Sequence, residues 1–473
     1  MKILVFGTGD YYERYKNFFI DDVVGLIDNN KNKQGSFLNG KEIMSPETAV
    51  ELKYDRIYVL SVYFLQMTEQ LLALGIDKEK IFSPTEVIKL IKEDGKNLPL
   101  ELMSMDCENL ISIRKIKNIL MLTPDLKLNG SVIALLGAVR ACLKEGYEVT
   151  VGAIQSGPAK NMLVQQYGVK VVIDENLIIH TMAETKWVRA YNIILCNTIL
   201  MYQFLSDRNS NIPIIWWLHD PPYVYRTIDH EIAKRIDFSN VQVYGAGKIA
   251  AEAFEKEFPD QKADILLFGL EDKFERTKHN DDLFTVITVG EVQDWKGQDI
   301  FCGAAKRLLQ DMGKTNNFEI AEKSIRFLII GNDSTKFASK LKEEYGSFPE
   351  IRFVGILPRE EMSDIYQAAD LYICPSREET MSITVSEAMM NEVPCIISNA
   401  AGISEFIEEE KNGMLFNSGN ASDLKEKISW CLSNREKAKE IGINGRKVFE
   451  KNFSEKVFAN NIMKILERKG ALL

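Results

Sequence analysis

Glu379 and Glu387 stand eight residues apart within Ala369–Ser398, ADLYICPSREETMSITVSEAMMNEVPCIIS. The spacing puts one acid on a loop and the other inside a helix. The apolar run Leu371 to Cys374 reads as a buried strand ended by Pro375. A polar loop, Ser376 to Met381, leads into a helical pattern from Ser382 to about Asn391. Pro394 closes that helix, and Cys395 to Ile397 begin the next strand. Glu378 offers no second register, because Ser386 stands eight residues on. The N–H groups that open the helix, around Ser382 and Ile383, make a site for a phosphate-like anion. The two carboxylates can then accept hydrogen bonds from hydroxyls on either side of it. A nucleotide sugar, with its hydroxylated sugar, diphosphate and ribose diol, has this layout. Two solvated acids of an ordinary α/β unit would share the spacing.

The wording of the stretch separates these readings. Pro375-Ser376-Arg377-Glu378-Glu379-Thr380-Met381-Ser382, followed by Glu387-Ala388-Met389, resembles the Glu-x7-Glu segment of retaining glycosyltransferases of family 4. Ala401-Gly402-Ile403-Ser404-Glu405 and Asn412-Gly413-Met414-Leu415 resemble the turn and hairpin that follow it there. Gly290 to Gly297, GEVQDWKG, resembles the family's G-R-x-x-x-x-K-G turn, with Glu291 in place of arginine. Gly331-Asn332-Asp333 and Gly355 resemble turns whose backbones line a nucleotide pocket. The ordered match extends over about 350 residues.

That resemblance implies the GT-B fold, two Rossmann-like doubly wound α/β domains facing a cleft. It implies a retaining, metal-independent hexosyl transfer from a nucleotide-diphosphate sugar, UDP-linked by default. Glu379 is then expected to bind donor sugar hydroxyls, Glu387 to grip the ribose diol, and Lys296 to neutralise the leaving diphosphate. The N–H groups at Met381, Ser382 and Ile383 add phosphate and sugar contacts, and Gly290, Gly331 and Gly355 line the nucleotide. The absence of a D-x-D triplet agrees with a mechanism that needs no metal. Glu291 is a charge reversal beside a diphosphate, and Arg377 is the substitute cation nearest by motif position. The competing reading is a degenerate glycosyltransferase that binds or stabilises a partner.

Three further units must position these groups. Residues 1–110 begin with strand Lys2 to Phe6, the turn Gly7-Thr8-Gly9, an amphipathic run Tyr11 to Phe19, and strand Val23 to Ile27 ending in Asp28. This opens like a dinucleotide-binding βαβ, with Asp28 placed for a ribose diol. Tyr12 occupies the third fingerprint position, which makes the NAD(P) signal weak. The continuation resembles small Rossmann-like domains found beside sugar acyltransferases, methyltransferases and sugar-nucleotide dehydratases. A docking or oligomerisation module is the simpler expectation. Lys92 to Cys107 reads as a linker or short helix.

The second unit, 113–275, begins with strand Asn118 to Thr123 and helix Ser131 to Lys144. The loop before that helix resembles the glycine loop of the family's first domain, so Gly130 can approach the donor phosphates. Strands Tyr191 to Cys196 and Pro213 to Leu218 follow. The latter ends in His219, placed to donate a hydrogen bond to the transferred sugar or to help hold the acceptor. A polar linker, Glu275 to Asp282, leads to the donor domain, 282–447. A last helix, within 448–473, crosses back.

Composition bounds the rest. A net charge of −10 and pI ≈ 5.3 argue against a nucleic-acid binder. Seven scattered cysteines without a C-x-x-C pair read as reduced thiols of a cytoplasmic protein. Met1 runs straight into a strand, so no signal peptide is expected. Peripheral contact with a membrane could come through Arg114-Lys115-Lys117. Acceptors left open are a glycan, a lipid-linked saccharide or a protein.

Overall fold

The computed structural model describes residues 1–61, 64–93, 100–103, 117–208, 210–275, 283–314 and 325–470. Three sheets carry the chain. The first joins β1 (Ile3–Phe6), β2 (Val23–Ile27), β3 (Phe37–Leu38), β4 (Lys41–Met44), β5 (Arg56–Val59) and β6 (Ile81–Phe82) in the order β3-β4-β2-β1-β5-β6. All pairs are parallel except the short β3–β4 hairpin. Tyr12 is fully buried against this sheet, in the place a glycine would leave for close helix packing.

The second sheet holds β7 (Leu100–Met103), β8 (Asn118–Asp125), β9 (Glu148–Gln155), β10 (Lys170–Asp174), β11 (Ile193–Asn197), β12 (Ile214–Leu218), β13 (Val241–Gly245) and β14 (Ala263–Ile265). Their order is β14-β13-β12-β11-β8-β9-β10-β7. The third holds β15 (Phe284–Val289), β16 (Ile325–Ile330), β17 (Ile351–Gly355), β18 (Leu371–Cys374), β19 (Cys395–Ser398) and β20 (Met414–Phe416), ordered β17-β16-β15-β18-β19-β20. The central strands read as near-continuous apolar runs, IILCN, IIWWL, LYIC and CIIS, and every residue of them is buried. Parallel strands covered by helices on both faces require that composition. Both sheets reverse direction beside their first strand, and loops from adjacent strand ends open there into a crevice.

Three elements differ from the sequence expectations. Leu100–Met103 is a strand and not a linker: it pairs antiparallel with β10 and closes the edge of the second sheet. β10 itself, KVVID, was not anticipated. The last helix also starts later than its apolar pattern. α1 spans Gly130–Lys144, α2 Gln298–Lys314, α3 Ile383–Met390, α4 Arg435–Asn452 and α5 Glu455–Gly470. Residues 448–452 therefore end α4, and the crossing occurs at Phe453 and Ser454. The boundaries at 110, 113 and 282, most of the 275–282 linker, Arg114 and Lys115 lie outside the described residues, as does Cys107. The other six cysteines are buried and unpaired.

α5 binds the two large domains into one body. Its Glu455 accepts from Arg140 Nε and Lys144 Nζ of α1, both at 2.6 Å. Phe458 stacks on Trp217 at the end of β12, with 5.4 Å between centroids. Backbone hydrogen bonds join Leu270 to Phe453 and to Glu455. One apolar cluster consequently runs from the second sheet through α5 into the third. The first domain adds its own core, which continues into Ile178 and Ile179 of the second.

Candidate active site

Lys296 sits on a one-turn helix, Asp294–Lys296, just after β15. Gly297 ends that turn at φ +72°, and a Cβ there would stand 2.0 Å from the Pro375 carbonyl oxygen. Only glycine allows the lysine turn to lie against the end of β18. Arg377 ties the two loops together: its N–H donates to the Trp295 carbonyl (2.8 Å), and its guanidinium reaches the Asp294 carbonyl (2.6 Å) and both Asp299 oxygens (2.8 and 2.6 Å). Across this joint the Lys296 ammonium pairs with the Glu379 carboxylate. Burial works against the charged lysine, but Glu379 outweighs it and holds the ammonium above its ordinary range. Arg377, fully engaged here, is not the free cation expected to replace an arginine at 291; it positions Lys296.

Two helix N-termini meet in the same cleft. Ser382 caps α3, accepting from the Val385 N–H at 3.4 Å, and the first N–H groups of the helix point outward. Asn129 caps α1 in the same way, accepting from Val132 at 3.0 Å. A Cβ at Gly130 would lie 3.8 Å from Ile383 Cδ1, so the two N-termini face each other at close range. Their dipoles concentrate positive potential where an anion would sit. The cleft, about 290 Å³, is lined by Gly130, His219, Lys296, Glu379, Met381 and Ile383 among others. The Thr380 hydroxyl closes its floor by donating to the His219 carbonyl at 2.8 Å.

His219 lies 4.5 Å from the Trp217 ring, and its Nε2 is enclosed without a hydrogen-bond partner among the described residues. Burial lowers its pKa to about 3, so the imidazole is neutral at pH 7. Its neighbour Asp220, which sequence reasoning passed over, is pushed up to about 6 by burial against backbone N–H bonds that favour its charge. Asp220 accepts from Ile199 N at 2.6 Å and so secures the Thr198 turn, where a non-glycine residue holds φ +75°.

The two shifts act oppositely on stability. The unfolded histidine takes a proton below pH 6.5 that the native one refuses, so its contribution is lost as pH falls. The raised aspartate contributes below about pH 4 and loses that contribution as pH rises through 6. Comparison with His219→Gln isolates the first effect. Between pH 7 and pH 4.5 wild type should lose about 2 kcal/mol more than the variant in urea unfolding. Parallel losses would show that the imidazole is not enclosed.

Glu387 and Ser382 lie beside the cleft and not on its wall. Glu387 is buried in α3, and its two oxygens take the Tyr366 hydroxyl (2.9 Å) and the Arg359 guanidinium. Both partners were missed; the Leu357-Pro358-Arg359 sequence after Gly355 was the available signal. Gly290, Gly331 and Gly355 end β15, β16 and β17 side by side. Gly290 donates to Ile330 at 2.8 Å, and Gly331 to Gly355 at 2.9 Å. A Cβ on Gly331 would meet the Gly290 carbonyl oxygen at 2.1 Å. Glu291 is exposed and accepts from Asn332 Nδ2 at 3.1 Å, which orients it along the sheet edge.

In the first domain Gly7 adopts φ +106° against Leu60, and Gly9 opens the helix after β1. Asp28 accepts from the Thr8 hydroxyl (2.5 Å), the Asn30 N–H (2.8 Å) and Lys33 Nζ (3.0 Å). Burial raises its pKa, but these donors together hold it below the usual carboxylate range.

The domain pair and its cleft define the GT-B fold. A structure of Anabaena Alr3699/HepE in complex with UDP and glucose superposes over 74% of this chain and 99% of its own, with TM-score 0.60 and 19% identity. Residues 270–448 match the family model for glycosyl transferases group 1, and residues 1–82 match the one for the C2185-like N-terminal domain. Among curated relatives, Arabidopsis thaliana sulfoquinovosyl transferase SQD2 is 33% identical over 129 residues, 27% of this chain and 25% of the relative. A D-inositol 3-phosphate glycosyltransferase of Nocardia farcinica is 26% identical over 165 residues, 33% and 35% of the two chains. The chain thus spans about a quarter to a third of the length of these two relatives. Among the described residues no helix is long and apolar enough to cross a membrane.

Proposed function

We propose that the chain is a retaining glycosyltransferase moving a hexose from a nucleotide-diphosphate sugar to a glycan, lipid-linked or protein acceptor. The observation that carries this reading is the convergence of two helix N-termini, Lys296 and Glu379 on one interdomain cleft. The UDP and glucose of the HepE complex favour a UDP-sugar as donor. The diphosphate sits between the N-termini of α1 and α3 and takes Lys296 as its counter-ion. Glu379, released from the lysine, accepts hydroxyls of the transferred sugar. The ribose diol displaces Arg359 from Glu387, while Tyr366 keeps the other oxygen.

As the bond from the anomeric carbon to the diphosphate breaks, Lys296 and the helix amides stabilise the charge developing on the phosphate. The acceptor oxygen bonds to the same face of that carbon, and its proton passes to the departing phosphate oxygen. Neutral His219 orients the sugar once donor binding uncovers its Nε2. These groups supply the positive charge themselves, so the reading needs no metal ion. Residues 1–110 serve as a docking or oligomerisation module without a cofactor, on a cytoplasmic enzyme of cell-surface polysaccharide or glycoconjugate synthesis.

Calorimetry with UDP, GDP and dTDP tests the site. One of the three should bind, and Glu387→Gln should weaken it by about tenfold, the weight of one charge-assisted hydrogen bond. Glu291 in place of arginine favours the alternative of a partner-binding subunit. Binding of none of the three would contradict the catalytic reading and leave the partner-binding alternative standing.

A further inference from the structure

Tyr223 and Trp295 belong to different domains and meet at the mouth of the cleft. Tyr223 lies on the turn Pro222–Thr227 after β12, and Trp295 immediately precedes Lys296. Their ring centroids are 6.2 Å apart at an interplanar angle of 43°. Neither is buried as a core aromatic would be: Tyr223 is 40% exposed, and Trp295 is partly so. Glu378 lines the same wall, half-buried, and its carboxylate makes no hydrogen bond or ion pair among the described residues. It adjoins the paired Glu379, so the aromatic faces and the open carboxylate lie next to the donor half of the site.

We propose that Tyr223, Trp295 and Glu378 form the acceptor subsite, and that the group it recognises is a neutral pyranose ring. This rests on the glycosyltransferase reading above and names its acceptor class. A pyranose presents a face of C–H groups, which suits the negative face of an aromatic ring. Its edge presents hydroxyls, which suit an unpaired carboxylate acceptor. An anionic sugar is disfavoured. Glu378, Glu379 and Asp220 all line the cleft, and Lys296, its one lysine among the described residues, is committed to Glu379 or to phosphate. A bare alkyl chain would leave Glu378 facing apolar surface at a cost.

Saturation-transfer NMR on the full chain tests this, with saturating UDP and the methyl glycosides of glucose, galactose, mannose and glucuronic acid as probes. At least one neutral glycoside should receive saturation at its ring C–H protons, and the glucuronide should not. Trp295→Ala and Tyr223→Ala should each weaken that binding by about tenfold. Glu378→Gln should weaken it less, because the amide still accepts one bond, and should admit the glucuronide. Three results overturn the proposal while leaving the donor site intact. They are no saturation of any neutral glycoside by protein that binds UDP, a signal unchanged in both aromatic variants, and a signal lost only in Glu379→Gln, which would place the ring in the donor half. Protein that binds no nucleotide overturns the underlying reading and this one with it.

Discussion

Lys296→Ala should lower kcat for nucleotide release from the preferred donor by about two to three orders of magnitude, with little change in KM. The ammonium is held beside the N-terminus of α3 by a chain of contacts that runs through Gly297, Arg377 and Asp299. The bound diphosphate replaces Glu379 as its partner, one ion pair exchanged for another, so removing it costs modest donor affinity. In the transition state, as charge moves onto the leaving phosphate, no other side-chain cation among the described residues lies in the cleft wall to meet it. Glu291 accepts from Asn332, Arg377 is bound to Asp299, and Arg359 lies off the cleft wall. The loss should therefore be larger than in a site with two phosphate cations. Lys296→Arg should recover part of it, since charge survives but the guanidinium is too large for the place. A change within about threefold for the alanine variant would remove the lysine from the mechanism.

Gly297→Ala should be strongly damaging for a single methyl addition. The residue must keep φ +72°, which costs a β-carbon-bearing residue about 1 kcal/mol, and its Cβ would sit 2.0 Å from the Pro375 carbonyl oxygen. The overlap is with backbone, so the loop carrying Glu379 or the turn carrying Lys296 has to move. A loss of about 3 kcal/mol in urea unfolding is expected, with activity reduced nearly as far as in Lys296→Ala. Gly355→Ala is the natural control: its φ is +82°, but nothing stands within 4 Å of the added carbon. It should show the conformational cost alone. Equal midpoints for Gly297→Ala and wild type would mean that the two loops are not in contact.

Much of this was legible in the sequence because local pattern and chemistry coincide. The strand LYIC, the proline after it and the helix cap at Ser382 fix where Glu379 and Glu387 lie, and spacing alone separates loop acid from helix acid. The pairing of Lys296 with Glu379 was not legible, because 83 residues separate them and neither periodicity nor propensity carries a contact at that range. The pairing of Arg359 and Tyr366 with Glu387 was likewise a contact across 28 and 21 residues, although Leu357-Pro358-Arg359 after Gly355 marked the place. The role of Arg377 was misassigned, since motif position gives a residue's neighbourhood but not its partner, and Asp299 claims it. Leu100–Met103 escaped because an edge strand has one hydrogen-bonded neighbour and needs little apolar patterning. His219 was found, but its enclosure depends on Trp217 and on Thr380 arriving from another domain.

The central claim is that the cleft around Lys296 and Glu379 breaks a nucleotide-diphosphate sugar. Its most direct test is nucleotide release from a panel of UDP-, GDP- and dTDP-sugars, with wild type beside Glu387→Gln and Lys296→Ala. Slow release from one donor, lost in both variants, is the predicted result and would name the donor. A wild-type protein that neither hydrolyses nor binds any of them would contradict the account, and the missing arginine at 291 would then mark a phosphate site that no longer works.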